Sequence, residues 1–159
     1  MMQQPKPKVN ETDSRFPDVP SENRLFREFD PPTARKLIDL GIDASFEAGK
    51  FIFHEHDEAR QFYAITSGSV ALEQPGPPRA IRIQTLHPGD FLGWSAVLGS
   101  ETRHFQARAL TRVSATTFEG ALLRKACEDD PSFGYALMKR LLALVTERLD
   151  ATRMQVGAL

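Results

Sequence analysis

Two stretches decide how this chain folds: Ile52–Gly68, IFHEHDEARQFYAITSG, and Pro88–Leu98, PGDFLGWSAVL. Each packs Phe, Ile, Leu or Val into runs too short for a helix and ends them on glycine or proline, the pattern of short buried strands separated by tight turns. Working outward, the same pattern fills Ala44–Glu119, with turn glycines at Gly49, Gly68, Gly89 and Gly99 and a hairpin tip at Pro75–Pro78. It predicts eight strands: Ala44–Glu47, Phe51–His54, Phe62–Ser67, Ser69–Gln74, Ala80–Leu86, Phe91–Gly93, Phe105–Ala109 and Arg112–Glu119. Eight short strands suit a small jelly-roll barrel, or double-stranded β-helix, whose paired Greek keys limit exposed edges.

The period changes on both sides of this barrel, to give a mainly β fold with flanking helices. Leu25, Phe26 and Phe29 begin one short helix, and Thr33–Leu40 forms a second that ends on Gly41 as a C-cap glycine. Residues Met1 to about Ser21 hold four of the eleven prolines and few apolar residues, and are expected to be a mobile tail before a domain over 22–159. After Gly120 come a short helix, Ala121–Glu128, a break at Asp129 and Asp130, and a long helix from Pro131 to about Met154. That helix carries two apolar stripes side by side. Phe133, Leu137, Leu141, Leu144 and Val145 form one; Met138, Leu142, Val145 and Leu149 form the other. One small barrel covers one stripe, so a homodimer is expected, with the Phe133 stripe as its seam.

Composition narrows the function classes. The chain has 159 residues, 41% hydrophobic and 26% charged, with a formal net charge of -1. This is one globular core without a broad nucleic-acid footprint. The N-terminus has no apolar signal segment and no stretch is long and apolar enough to span a bilayer, so a cytoplasmic location without membrane contact is expected. The single cysteine, Cys127, rules out an intrachain disulfide framework. Its acidic neighbours Glu128, Asp129 and Asp130 should raise the thiol pKa, against a redox role. No Gly-rich phosphate loop, nucleophile elbow or spaced acid pair anchors catalysis, and the chain is read as a non-enzyme.

Ile52–Gly68 resembles the opening strands of cyclic-nucleotide-binding domains, matching at Ile52, Phe53, Glu55, Asp57, Ala59, Phe62, Tyr63, Ile65 and Gly68, with His56 where that family has glycine. The second stretch resembles the family's phosphate-binding cassette through Leu92, Gly93, Ala96, Val97 and Arg103. The resemblance extends from Leu25 to about Arg153. It is to the sensor half of catabolite-activator and oxygen-response regulators, whose long helix is the dimer seam and whose following helix-turn-helix domain has no counterpart here; binding of DNA is therefore not expected. The resemblance implies a candidate pocket at Phe91, Leu92, Gly93, Trp94, Ser95, Ala96, Arg103, His104 and Phe105. In the family, backbone N–H groups after the glycine and the arginine hold the cyclic phosphate while a glutamate accepts from the ribose 2′-hydroxyl. Here Trp94 stands at the glutamate position, and indole has no acceptor. His104 and Phe105 replace the small residues after the arginine.

The expected function is a stand-alone sensor or regulatory domain with a degenerate cassette that acts through a protein partner. It takes no cofactor, and its ligand is a nucleotide or small anion of unassigned identity. Two alternatives compete. Trp94 and Phe105 could plug the pocket and leave a scaffold. Alternatively His54 and His56 form an H-x-H pair whose rings share a face in a strand, as in metal-dependent cupin enzymes; but Glu58 follows too closely, and Asp90–Leu92 lacks the further histidine. Haem ligation by Cys127 or His104 lacks any attachment motif.

Overall fold

The computed structural model describes residues 29–99 and 102–157. The expected mobile tail, and the first short helix but for Phe29, lie outside them. Helix α1 (Pro31–Leu40) begins two residues before the expected Thr33, because proline's fixed φ suits the first helical positions, where its missing N–H costs nothing. Gly41 then leaves α1 in an extended conformation with φ -82°. It does not act as a left-handed cap; a Cβ there would sit 2.4 Å from Thr116 Cγ2, so the chain needs glycine for space.

Eight strands follow: β1 (Ile42–Phe46), β2 (Phe51–Phe53), β3 (Gln61–Ser67), β4 (Val70–Gln74), β5 (Ile81–Leu86), β6 (Phe91–Leu92), β7 (Gln106–Ala109) and β8 (Val113–Glu119). They form two four-stranded antiparallel sheets, ordered β1-β8-β3-β6 and β2-β7-β4-β5. This is the jelly roll expected from the strand spacing, closed by a one-turn helix α2 (Ser95–Leu98) and by helices α3 (Gly120–Asp129) and α4 (Pro131–Gly157). The β4–β5 hairpin spans the Pro75–Pro78 tip. Turns fall at the glycines the sequence marks; at Gly68, with φ +85°, a Cβ would stand 2.2 Å from the Arg112 carbonyl oxygen.

The run Phe62-Tyr63-Ala64-Ile65 is buried at every position although a strand alternates its faces. Tyr63 and Ile65 enter the barrel interior with Val70, Leu86, Leu92, Ala107 and Val113. Phe62 and Ala64 face the other way, into a second core built with Leu37 of α1, Leu123 of α3 and the α4 residues Phe133, Leu137, Leu141 and Leu144. The sheet is thus covered on both faces, like the strands of layered α/β folds. The Phe62 and Phe91 rings stack at 4.8 Å on the helical side.

This second core corrects the dimer assignment. Phe133, Leu137, Leu141 and Leu144 are buried within the chain itself, and Val145 is half-buried, so the Phe133 stripe is the one that docks on the barrel. Met138, Leu142 and Leu149 remain exposed. Asp130 separates α3 from α4 at the expected break; it accepts from Phe133 N–H at 3.3 Å and from Lys36 Nζ at 3.0 Å, tying α4 to α1. Those bonds hold its carboxyl below the ordinary range, the Lys36 bond most of all.

His56 is the one non-glycine described residue with positive φ, +72°, at the position where the family pattern has glycine. Its ring is largely exposed, with Nε2 2.9 Å from Glu55 Oε1. A side chain in this region costs about 1–2 kcal/mol, offset in part by the entropy a glycine adds to the unfolded chain. His56→Gly should therefore leave stability within about 1 kcal/mol of the parent or raise it, whereas His56→Val should lower it by about 1–2 kcal/mol, as read by urea denaturation. Equal losses from both would show that the His56 side chain, not the backbone, matters.

Candidate functional site

The cassette begins where β6 ends. Gly93 takes φ +80°, turning the chain from the barrel wall into α2. Its carbonyl oxygen accepts from Ala96 N–H at 3.1 Å, and Val97 N–H bonds to the Trp94 carbonyl at 2.9 Å. Two of the amides that follow the glycine, those of Ala96 and Val97, are thus engaged in closing the turn.

Arg103 lies beneath this turn and is only 3% exposed. Its Nη1 donates to the Gly93 carbonyl at 3.0 Å and its Nη2 to the Gln61 carbonyl. The guanidinium stacks on Phe53 with its centre 4.3 Å from the ring centroid. Backbone bonds fix the residue as well: Arg103 N–H donates to Asp57 O at 2.8 Å, and Arg103 O accepts from His56 N–H at 2.9 Å. Burial pushes its pKa down, opposed by the nearby Tyr63 and Asp57. The arginine that the family pattern assigns to a phosphate is here a clamp joining the end of β2, the start of β3 and the cassette.

Trp94 is half-buried, and Arg148 of α4 lies over its ring at 4.4 Å. Arg148 Nη2 donates to the Phe91 carbonyl at 2.6 Å, which pins α4 to the strand before the cassette. Burial pushes its guanidinium down to about 10, so it remains a cation at neutral pH. The recess left behind Gly93 is lined by Phe53, Leu72, Gly93, Trp94, Ser95, Arg103, His104, Phe105 and Arg148, with a volume of about 40 Å³. A water occupies about 10–15 Å³ on the same measure, so about three waters fit.

Of the expected site residues, Gly93, Trp94, Ser95, Arg103, His104 and Phe105 border this recess. Phe91, Leu92 and Ala96 do not; they are buried in the two cores, because a strand and a one-turn helix must hide their apolar faces. His104 is exposed, and Phe105 is half-buried at the wall. Arg148 was not singled out from the sequence. It continues the buried series Phe133, Leu137, Leu141, Leu144 at helical spacing, and a charged residue in register with a core stripe is the signal that marks it.

The histidine pair does not take the geometry a cupin metal site requires. β2 ends at Phe53, so His54 lies in a turn, with its N–H donating to Asp57 at 2.8 Å, and the two rings do not share a strand face. Among the described residues no group of three His, Cys, Asp or Glu side chains could hold a metal ion. The Cys127 thiol is pushed up as expected, but burial is the larger cause and Glu128 a lesser one, against Lys36. No described helix is long and apolar enough to cross a membrane.

Comparison with known proteins identifies the domain. Residues 44–130 match the model of the cyclic nucleotide-binding domain. A cGMP-dependent protein kinase, egl-4, from Caenorhabditis briggsae is 29% identical over 85 residues, covering 52% of this chain but only 11% of the kinase. A solved structure from Geobacter metallireducens GS-15, described as a cyclic nucleotide-binding protein, is 25% identical, with a TM-score of 0.69 over 80% of this chain and 92% of its own. The Thermus thermophilus catabolite activator protein aligns with a TM-score of 0.68 at 20% identity, over 85% of this chain and 62% of its own.

The clamp has a measurable consequence. Arg103→Lys keeps the charge but cannot reach both carbonyls, and should cost about 2–3 kcal/mol. Gly93→Ala should cost about 2 kcal/mol or more, since a Cβ would meet Arg103 Nη1 at 2.8 Å and the Gln61 carbonyl at 2.9 Å on a positive-φ backbone. Denaturant midpoints unchanged by Arg103→Lys would remove the clamp.

Proposed function

The chain belongs to the cyclic nucleotide-binding domain family, and on that premise we propose that it is a non-catalytic regulatory domain whose cassette has lost cyclic-nucleotide recognition. The observation that carries this reading is the engagement of Arg103, 3% exposed, with the Gly93 and Gln61 carbonyls in place of a ligand. Two features support it. Trp94, at the ribose-reading position, offers no acceptor, and a ribose hydroxyl buried without one costs about 1–3 kcal/mol, a 5- to 150-fold loss of affinity. The recess behind Gly93, about 40 Å³, is walled by the Trp94, His104 and Phe105 side chains.

The reading extends to a cytoplasmic homodimer acting on a protein partner. Leu142 is 67% exposed and Leu149 57%, on a helix whose other stripe is already docked. A second copy of the same stripe is the occupant that its self-complementary apolar surface fits. With a net charge of -1, duplex DNA is not the partner we assign.

Calorimetry against cyclic AMP and cyclic GMP should give no micromolar binding by the parent chain, and binding gained by the Trp94→Glu, His104→Ser, Phe105→Ala variant supports a lost ancestral site. Micromolar binding by the parent overturns the reading.

Sedimentation equilibrium tests the helix. Leu142→Glu with Leu149→Glu should yield a folded monomer, whereas Leu137→Glu should unfold the chain by placing a charge in its core. A double variant that stays dimeric puts the seam elsewhere.

A further inference from the structure

The groove at which the described chain begins is only partly covered. Phe29, 5% exposed, stands in its wall, and α4 supplies Tyr135, Ala136, Lys139, Arg140 and Ala143, around a volume of about 340 Å³. Tyr135 is 71% exposed, although it shares the groove with a buried phenylalanine. The two alanines let another element approach α4 closely, and from Tyr135 to Ala143 the floor runs for about 12 Å at 1.5 Å per residue. Residues 1–28 precede Phe29. Their end carries Glu22, Leu25 and Phe26, which with Phe29 stand at i, i+3, i+4 and i+7, the spacing of one helical face. Asn23, Arg24, Arg27 and Glu28 fall on the opposite face, and residues 22–29 at the same rise also span about 12 Å.

We propose that residues 22–28 complete the domain by docking on this groove as an amphipathic helical segment, with Leu25 and Phe26 against Tyr135, Ala136 and Ala143 and with Glu22 facing Lys139 and Arg140. Position supports this occupant over a separate chain. The segment is joined to the groove by the peptide bond to Phe29, so its effective concentration there far exceeds that of an unattached partner. Phe29 already belongs to the core that holds Leu37 and Phe133, and Leu25 and Phe26 extend its face. Charge supports it too: the groove brings two cations and one carboxylate, that of Asp30, which accepts from Thr33 Oγ1 at 2.6 Å. Glu22 is the complementary charge on the segment's apolar face. Docking would add a second brace between the entry to α1 and the first turns of α4, beside the Lys36–Asp130 ion pair. Leu142 and Leu149 lie outside the groove, so the segment borders the exposed stripe without covering it. The inference does not depend on what the cassette binds.

Tyr135 reports on the groove, and the test is hydroxyl-radical footprinting of the full chain at that residue, read by mass spectrometry over a dilution series. The parent should protect Tyr135 at every concentration. Leu25→Ser combined with Phe26→Ser should raise its reactivity several-fold and lower the folded-to-unfolded ratio about thirtyfold, because two large apolar side chains lose their burial. Arg24→Ser combined with Arg27→Ser, on the opposite face, should change neither reading. If the Leu25 and Phe26 double variant fails to fold, Phe26→Ala takes its place, with the same direction in both readings. Tyr135 equally reactive in the parent and in the folded Phe26 variant overturns the proposal. Protection that is lost on dilution also overturns it, and assigns the groove to a second copy of the chain.

Discussion

The buried guanidinium of Arg103 holds the cassette in its present shape. It joins three segments distant in sequence: Phe53 at the end of β2, Gln61 at the start of β3, and Gly93 at the turn after β6. The other features follow from where it lies. Gly93 must lack a Cβ because Nη1 occupies that space, and the turn it makes places Trp94 over the recess, where Arg148 of α4 stacks on it. Arg103 thus links the barrel to the cassette, and Arg148 links the cassette to the long helix. The arginine that could have faced solvent and a phosphate, Arg103, faces inward.

Magnitudes give the size of the handicap that this orientation places on a cyclic nucleotide under the proposed function. Hydrogen bonds from a charged group contribute about 1.5–3 kcal/mol each, so the two to Gly93 and Gln61 together amount to about 3–6 kcal/mol. A cyclic phosphate would have to replace them before gaining any affinity, a handicap of about two to four powers of ten. Trp94 adds a missing acceptor to that handicap.

Much of the fold was legible because its signals are local. Strand boundaries follow from apolar runs broken at Gly68 and Gly89, and the end of α3 from the Asp129–Asp130 break before Pro131. The misreadings came from features that depend on what lies across space. His54 was read as strand because its neighbours are strand-like, yet the Asp57 carboxylate draws its N–H into a turn. Gly41 was read as a cap, yet Thr116 and Phe118 set its identity from the opposite strand. Of two adjacent stripes on α4, the sequence pattern alone points to the Phe133 stripe as the dimer seam; the second core, with Leu37 and Phe118, docks that stripe on the barrel instead. At the site, residue types were legible and their use was not. Arg103 matches the pattern and is engaged with carbonyls, and Arg148 entered only because α4 carries it back to Trp94.

The central claim is that Arg103 is bonded to the protein's own carbonyls and is not open to a ligand. Arginine side-chain nitrogen NMR reads this directly. The account predicts Arg103 guanidinium N–H resonances that are sharp, protected from solvent exchange and unmoved by saturating cyclic AMP. Rapidly exchanging, rotationally averaged resonances that shift when cyclic AMP is added would contradict it.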